Sequence, residues 1–160
     1  MVQKQISVPF AIENITNRFQ IPDTEISETE FISRVLHNTG CYMQLDLNNI
    51  DTNAYNYNFD AYAWIDQLPM DRIKSIHLAG GVLDDEGVLI DSHSAPVRDR
   101  VWELYKYVVD RTDLSSTIVE WTDDISNMHD LLKDRKTAEE IFNNRERSKP
   151  LPKEEERRQA

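Results

Sequence analysis

Tyr42-Met43-Gln44-Leu45 is a short apolar run of strand length, and it meets a carboxylate, Asp46. Three other runs share this form. Val8-Pro9-Phe10-Ala11-Ile12 meets Glu13, Ile73-Lys74-Ser75-Ile76 meets His77, and Ser116-Thr117-Ile118-Val119 meets Glu120. The four polar residues are 33, 31 and 43 positions apart, each about one strand-helix unit. Equal phase after each apolar run puts all four at the same end of their strands.

Helical patterns fill the intervals. Ser27-Glu28-Thr29-Glu30 resembles a capping box opening a helix from Phe31 to Asn38, and Gly40 stops it. Asp60 can cap Ala61 to Leu68, with Pro69 just beyond. Arg98 to Val109 carries one apolar stripe of Val101, Leu104, Tyr105 and Val108. Ile125 to Arg147 reads as a long charged helix, and 148–160 as a charged disordered tail. The order β-α-β-α-β-α-β-α predicts an α/β fold with a parallel sheet and helices outside it, in one domain over 1–147. Four such units amount to half of a (β/α)8 TIM barrel, since a full barrel needs eight strands and about 250 residues. A four-stranded half leaves two sheet edges and an inner face uncovered, so self-association or a complementary N-terminal half is expected.

The net charge of -11 excludes a phosphate-binding groove, so no nucleic-acid partner is expected. A single cysteine, Cys41, excludes a disulfide framework and makes a thiolate cluster an unsuitable metal site. The N-terminus has no apolar signal segment and no run is long enough to span a bilayer, so a cytoplasmic protein without membrane contact is expected.

The residues that carry chemistry gather at the strand ends, where parallel α/β sheets bind ligands. To Glu13, Asp46, His77 and Glu120 the loop after the third strand adds Asp91-Ser92-His93, and Asn48 and Asn49 follow Asp46 at the start of the next loop. Carboxylate with imidazole is a borderline-hard ligand set that suits Fe, Mn or Zn. Converging carboxylates repel one another without cations, and a pair of metal ions resolves that. His37 and His129 read as surface residues, Trp102 and Trp121 as packing, and Cys41 as a small buried hydrophobe. Tyr55, Tyr57, Phe59, Tyr62 and Trp64 either line a substrate mouth or pack against the rim.

Five strings carry a family resemblance: Ile12-Glu13-Asn14, Leu45-Asp46-Leu47-Asn48-Asn49, Ile76-His77-Leu78-Ala79-Gly80, Ile90-Asp91-Ser92-His93 and Val101-Trp102-Glu103-Leu104-Tyr105. From about Pro9 to about Leu132 the chain resembles the multinuclear non-haem iron proteins called domain of unknown function 692. That family includes the catalytic subunits that modify cysteines of ribosomally made peptides, as in methanobactin biosynthesis. The resemblance implies a xylose-isomerase-like TIM barrel with two or three iron ions. It implies an oxygenase acting on a peptide cysteine, often beside a separate protein that presents the peptide. Glu13, Asp46, His77 and Glu120 would be iron ligands, and Asn49, Asp91 and His93 would complete a neighbouring iron site.

The chain departs from the family pattern at Gly81 and Tyr57, where the family has histidines, and at Ser94, where it has an aspartate. The family's first half-barrel, with further histidines, has no counterpart before Val8. Two other readings therefore stand beside the iron oxygenase. One is a non-catalytic remnant or scaffold subunit. The other is a different divalent-metal barrel enzyme, such as a sugar isomerase or an endonuclease.

Overall fold

A computed structural model describes residues 2–20, 22, 24–122 and 128–145. The tail expected over 148–160, and both ends of the expected helix from Ile125 to Arg147, lie outside the described residues. β1 is Ala11–Glu13, β2 is Tyr42–Asp46, β3 is Ile73–Leu78 and β6 is Ser116–Val119. They form one all-parallel sheet in the order β1-β2-β3-β6. The four expected strands are the four observed, although β1 starts later, with the Phe10 N–H taken by the Gln3 side chain at 2.7 Å.

The helices are α1 (Glu28–Thr39), α2 (Leu47–Tyr57), α3 (Ala61–Ile65), α4 (Asp99–Val109) and α5 (Met128–Asn143). Ser27 caps α1 by accepting the Glu30 N–H at 3.1 Å, and Gly40 ends it at φ +72°. Asp60 caps α3 through the Tyr62 N–H at 2.9 Å. The segment expected to be a loop after Asp46 is instead helix α2. Its asparagines give a poor helix propensity, and the buried Leu47 and Ile50 override it.

All five helices lie on one face of the sheet. Met43 and Leu45 of β2 and Ile76 and Leu78 of β3 are buried in one core with Ile32, Leu36, Ile50, Ile65, Val101, Leu104, Val108 and Ala138. Tyr105, fully buried, shares a 2.9 Å hydroxyl contact with Thr117 of β6. Asp51 of α2 pairs with Arg98, just before α4, at 3.0 Å.

The opposite face carries Glu13, Gln44, Asp46, Ser75, His77 and Ser116, together with Ile118, which is 44% exposed. Its members touch one another: Gln44 donates to Glu13 at 3.2 Å and Ser116 to Ser75 at 2.9 Å. A four-stranded parallel sheet with helices on one side and a polar, uncovered face on the other is compatible with part of a (β/α)8 barrel.

One unexpected element interrupts the alternation. β4 (Val82–Leu83) and β5 (Leu89–Ile90) form an antiparallel hairpin between β3 and α4. Gly80 lets the chain pass beneath the 95–96 segment, since a Cβ there would stand 1.9 Å from the Ala95 carbonyl oxygen.

Candidate metal centre

Each strand delivers its last inward residue to one place. The Nδ1 of His77 lies 2.8 Å from Glu13, 3.5 Å from Glu120 and 3.8 Å from Asp46. Ligand atoms of Glu13, Asp46 and His77 lie within 4.8 Å of one another, as a metal ion would need. One ring nitrogen can satisfy one carboxylate by hydrogen bonding, so the others around it have donor capacity left, and Glu13, Asp46 and His77 together could hold a metal ion.

A second cluster adjoins the first. His93 Nε2 stands 2.8 Å from Asp91, and the Asn48 amide donates to the same Asp91 oxygen at 2.5 Å. His93 Nδ1 faces the Glu120 carboxylate at 3.6 Å. Glu120 is therefore common to both histidines. His93 has φ +52°, a conformation that costs energy for a residue with a Cβ and that collects at functional sites. Thr122 holds it there: its N–H donates to the His93 carbonyl at 3.0 Å and its hydroxyl to the Ser92 carbonyl at 3.3 Å. From α5, Asp134 accepts the Val97 N–H at 3.1 Å and fixes the chain beyond the loop.

Asp46 has two duties. One oxygen accepts the Asn49 N–H at 2.7 Å and caps α2, while the other faces His77. Burial, with Asp91 and Glu13 adding repulsion, pushes its carboxyl up to about 8 against the pull of the Asn49 and Asn48 N–H groups. Its backbone is pinned by Asn14, whose amide donates to the Asp46 carbonyl and accepts the Asp46 N–H, both at 2.9 Å. This pair continues the β1–β2 ladder by one side chain.

The loop after β1 is strapped to α2 by three residues spaced four apart. Asn49 donates to the Asn14 carbonyl at 3.0 Å, Asn53 to the Ile15 carbonyl at 2.9 Å, and Tyr57 to the Asn17 carbonyl at 2.6 Å. That spacing is one helix face. Tyr57 is committed to this strap. Gly81 has no room for a side chain, because a Cβ would meet the Ile90 carbonyl oxygen at 2.7 Å. Ser94 contacts Ser92 at 2.8 Å.

Asn49 sits in α2 with its Oδ1 buried and without a hydrogen-bond partner, as are Asn48 Oδ1 and His93 Nδ1. Such orphaned acceptors beside carboxylates fit a cation. Asn14, Gln44 and the direct Asn48–Asp91 contact were not picked out from the sequence. Only the Asn14 position, directly after Glu13, offered a signal. The aromatic run resolves largely as packing: Tyr62 and Trp64 lie against the core and Tyr62 stacks edge-on with Tyr107 at 4.9 Å. Trp102 packs on the core as expected, Cys41 is buried, and His37 and His129 are exposed. Among the described residues no helix is long and apolar enough to cross a membrane.

A UPF0276 protein of Paraburkholderia phytofirmans is 41% identical over 124 residues, covering 75% of this chain and 40% of its own. One from Acaryochloris marina is 36% identical over 138 residues, 86% of this chain and 50% of its own. One from Rhizobium meliloti is 36% identical over 145 residues, 88% of this chain and 47% of its own. The chain thus spans half or less of the length of these relatives. Residues 1–143 match the family profile described as "RiPP precursor modification enzyme MbnB/TglH/ChrH", and the chain belongs to that family.

Proposed function

We propose that residues 1–147 form the C-terminal half of a xylose-isomerase-like (β/α)8 barrel and carry ligands for a multinuclear non-haem iron centre of oxygenase type. Its substrate would be a cysteine of a ribosomally made peptide. The observation that carries this proposal is the position of Glu120, 3.5 Å from His77 Nδ1 and 3.6 Å from His93 Nδ1, joining two ligand clusters. Glu13, Asp46, His77 and Glu120 would hold one ion, and Asn49, Asp91 and His93 a neighbouring one. Bound iron would supply electron transfer between dioxygen and the cysteine sulfur.

The chain's own part is to hold the donors. Asn14 and the α2 N-terminus fix Asp46, and Asn48 fixes Asp91. A complementary N-terminal half, or a second copy, would cover the polar inner face and exclude water. A separate peptide-presenting protein would deliver the substrate. Gly81 favours a second reading, a non-catalytic remnant, because the hairpin occupies the space that a histidine there would need.

Anaerobic calorimetric titration with Fe(II) separates the two. The iron proposal expects binding by wild type that is weakened at least tenfold in both His77→Ala and His93→Ala. No binding by folded wild type would favour the remnant.

A further inference from the structure

The hairpin β4–β5 leads straight into Asp91 and is built unlike a solvent-facing ribbon. Its turn is tight: the Gly87 N–H donates to the Asp84 carbonyl at 3.0 Å and the Asp84 N–H to the Val88 carbonyl at 2.9 Å, with Gly87 at φ +81°. The Asp84 carboxylate accepts the Glu86 and Val88 N–H groups at 3.0 and 2.8 Å, so it serves the turn.

The Asp84–Val88 bond sets the parity of the ladder. Val82 and Ile90 exchange bonds within the hairpin, and Leu83 and Leu89 turn their backbone groups outward. On the β5 side those groups are taken: the Asn56 amide accepts the Leu89 N–H at 2.9 Å and donates to its carbonyl at 2.8 Å. On the β4 side nothing among the described residues takes the N–H and C=O of Leu83. One edge is thus closed by a side chain that mimics a strand, and the other is open.

The faces are also unequal. Leu89 is buried against the domain, whereas Val82, Val88 and Ile90, on the other face, are 40%, 39% and 41% exposed and Leu83 is 55% exposed. An antiparallel ribbon with one solvated face normally carries polar residues there. A lone two-stranded hairpin is also marginal without a third strand. The tip adds Asp85 and Glu86, both exposed and negative.

We propose that the open β4 edge takes an extended peptide segment as a third strand, with Leu83 exchanging backbone hydrogen bonds and Val82, Val88 and Ile90 receiving its apolar side chains. The acidic tip selects a segment carrying lysine or arginine. The inference rests on the peptide-modifying reading above and assigns it a substrate-docking edge beside Asp91 and His93.

The test uses fluorescence anisotropy with a labelled ten-residue peptide of alternating valine and lysine, free of cysteine. Controls are a valine–glutamate peptide and a valine–lysine peptide interrupted by prolines. Leu83→Pro removes the outward N–H without touching a bond of the hairpin, and edge strands tolerate proline. Wild type should bind the lysine peptide at least tenfold more tightly than either control, and Leu83→Pro should lose at least tenfold with an unchanged circular dichroism spectrum. Should Leu83→Pro unfold, Val82→Lys/Val88→Lys, which keeps every backbone group, should lose binding instead.

No binding by wild type, or equal binding by wild type and a folded edge variant, overturns the proposal. A wild-type dimer that becomes monomeric in Leu83→Pro by light scattering also overturns it, because the edge would then be a seam between copies. The Fe(II) titration is read separately. Metal binding without peptide binding sinks the docking edge alone, and peptide binding without metal binding sinks the iron reading alone.

Discussion

Asp46 concentrates the physics of the site. Its carboxyl is raised to about 8 in the fold from an ordinary 3.8, with burial as the leading cause. The unfolded chain releases this proton near the ordinary value, and the fold retains it until about pH 8. The metal-free fold is therefore favoured by this group at acid pH, and that advantage is lost as pH rises through about 8. Urea midpoints of metal-free protein should fall between pH 5 and pH 8, and Asp46→Asn should flatten the trend. A profile unchanged in Asp46→Asn would remove the group from the account. Asn14 matters for a different reason. Truncation to alanine strands a buried N–H and a buried carbonyl of Asp46, and should cost about 1–3 kcal/mol in urea unfolding. The strand-end acids and His77 were legible in the sequence because a period of one strand-helix unit puts them in phase. Asn14 was not, because a single amide bonding across two elements leaves no periodic mark; Asn48 was read as a donor beside Asp46, but its bond to Asp91 was not.

At the scale of elements, α1 and α3 were legible through their caps, which form as the sequence indicates, and α4 through its apolar stripe; no side chain caps α4, and Arg98 just before it pairs with Asp51 of α2. Helix α2 was not legible. Leu47-Asn48-Asn49-Ile50-Asp51-Thr52-Asn53 reads as a loop by composition, and seven consecutive buried residues make it a helix. Its asparagines serve the strap on the loop after β1. Asn53 both donates to the Ile15 carbonyl and accepts the Asn17 N–H at 2.8 Å. Asn53→Ala should therefore free this loop, which carries Phe19 at 74% exposure and Ile15 at 64%. Limited chymotrypsin digestion should then cut at Phe19 several-fold faster than in wild type, with little change in circular dichroism. Equal cleavage rates would mean that the remaining bonds of Asn49 and Tyr57 hold the loop alone. The hairpin was missed because strands of two residues carry no alternation long enough to read.

For the molecule as a whole, alternation of strand and helix was sufficient to read the parallel sheet and its one-sided helical layer. What the sequence pattern does not show is the amount of curvature, since backbone sterics set the hand of the sheet twist but leave its size free over a wide range. β1 and β6 are the two edges, and both the inner face and Ile118 are open. Multi-angle light scattering should show dimers or larger species at micromolar concentration, and addition of a complementary N-terminal half should return a one-to-one complex. A monomer that stays monomeric under both conditions would count against an incomplete barrel. The two edges are unlike, so any contact that continues the parallel sheet must join β6 of one copy to β1 of the next. Such head-to-tail joints obey a rule of rotation: they end in a ring if the turn per copy divides the circle, and run on as a filament if it does not. A few degrees of strand twist therefore separate a closed eight-stranded cylinder of two copies from an open-ended fibre.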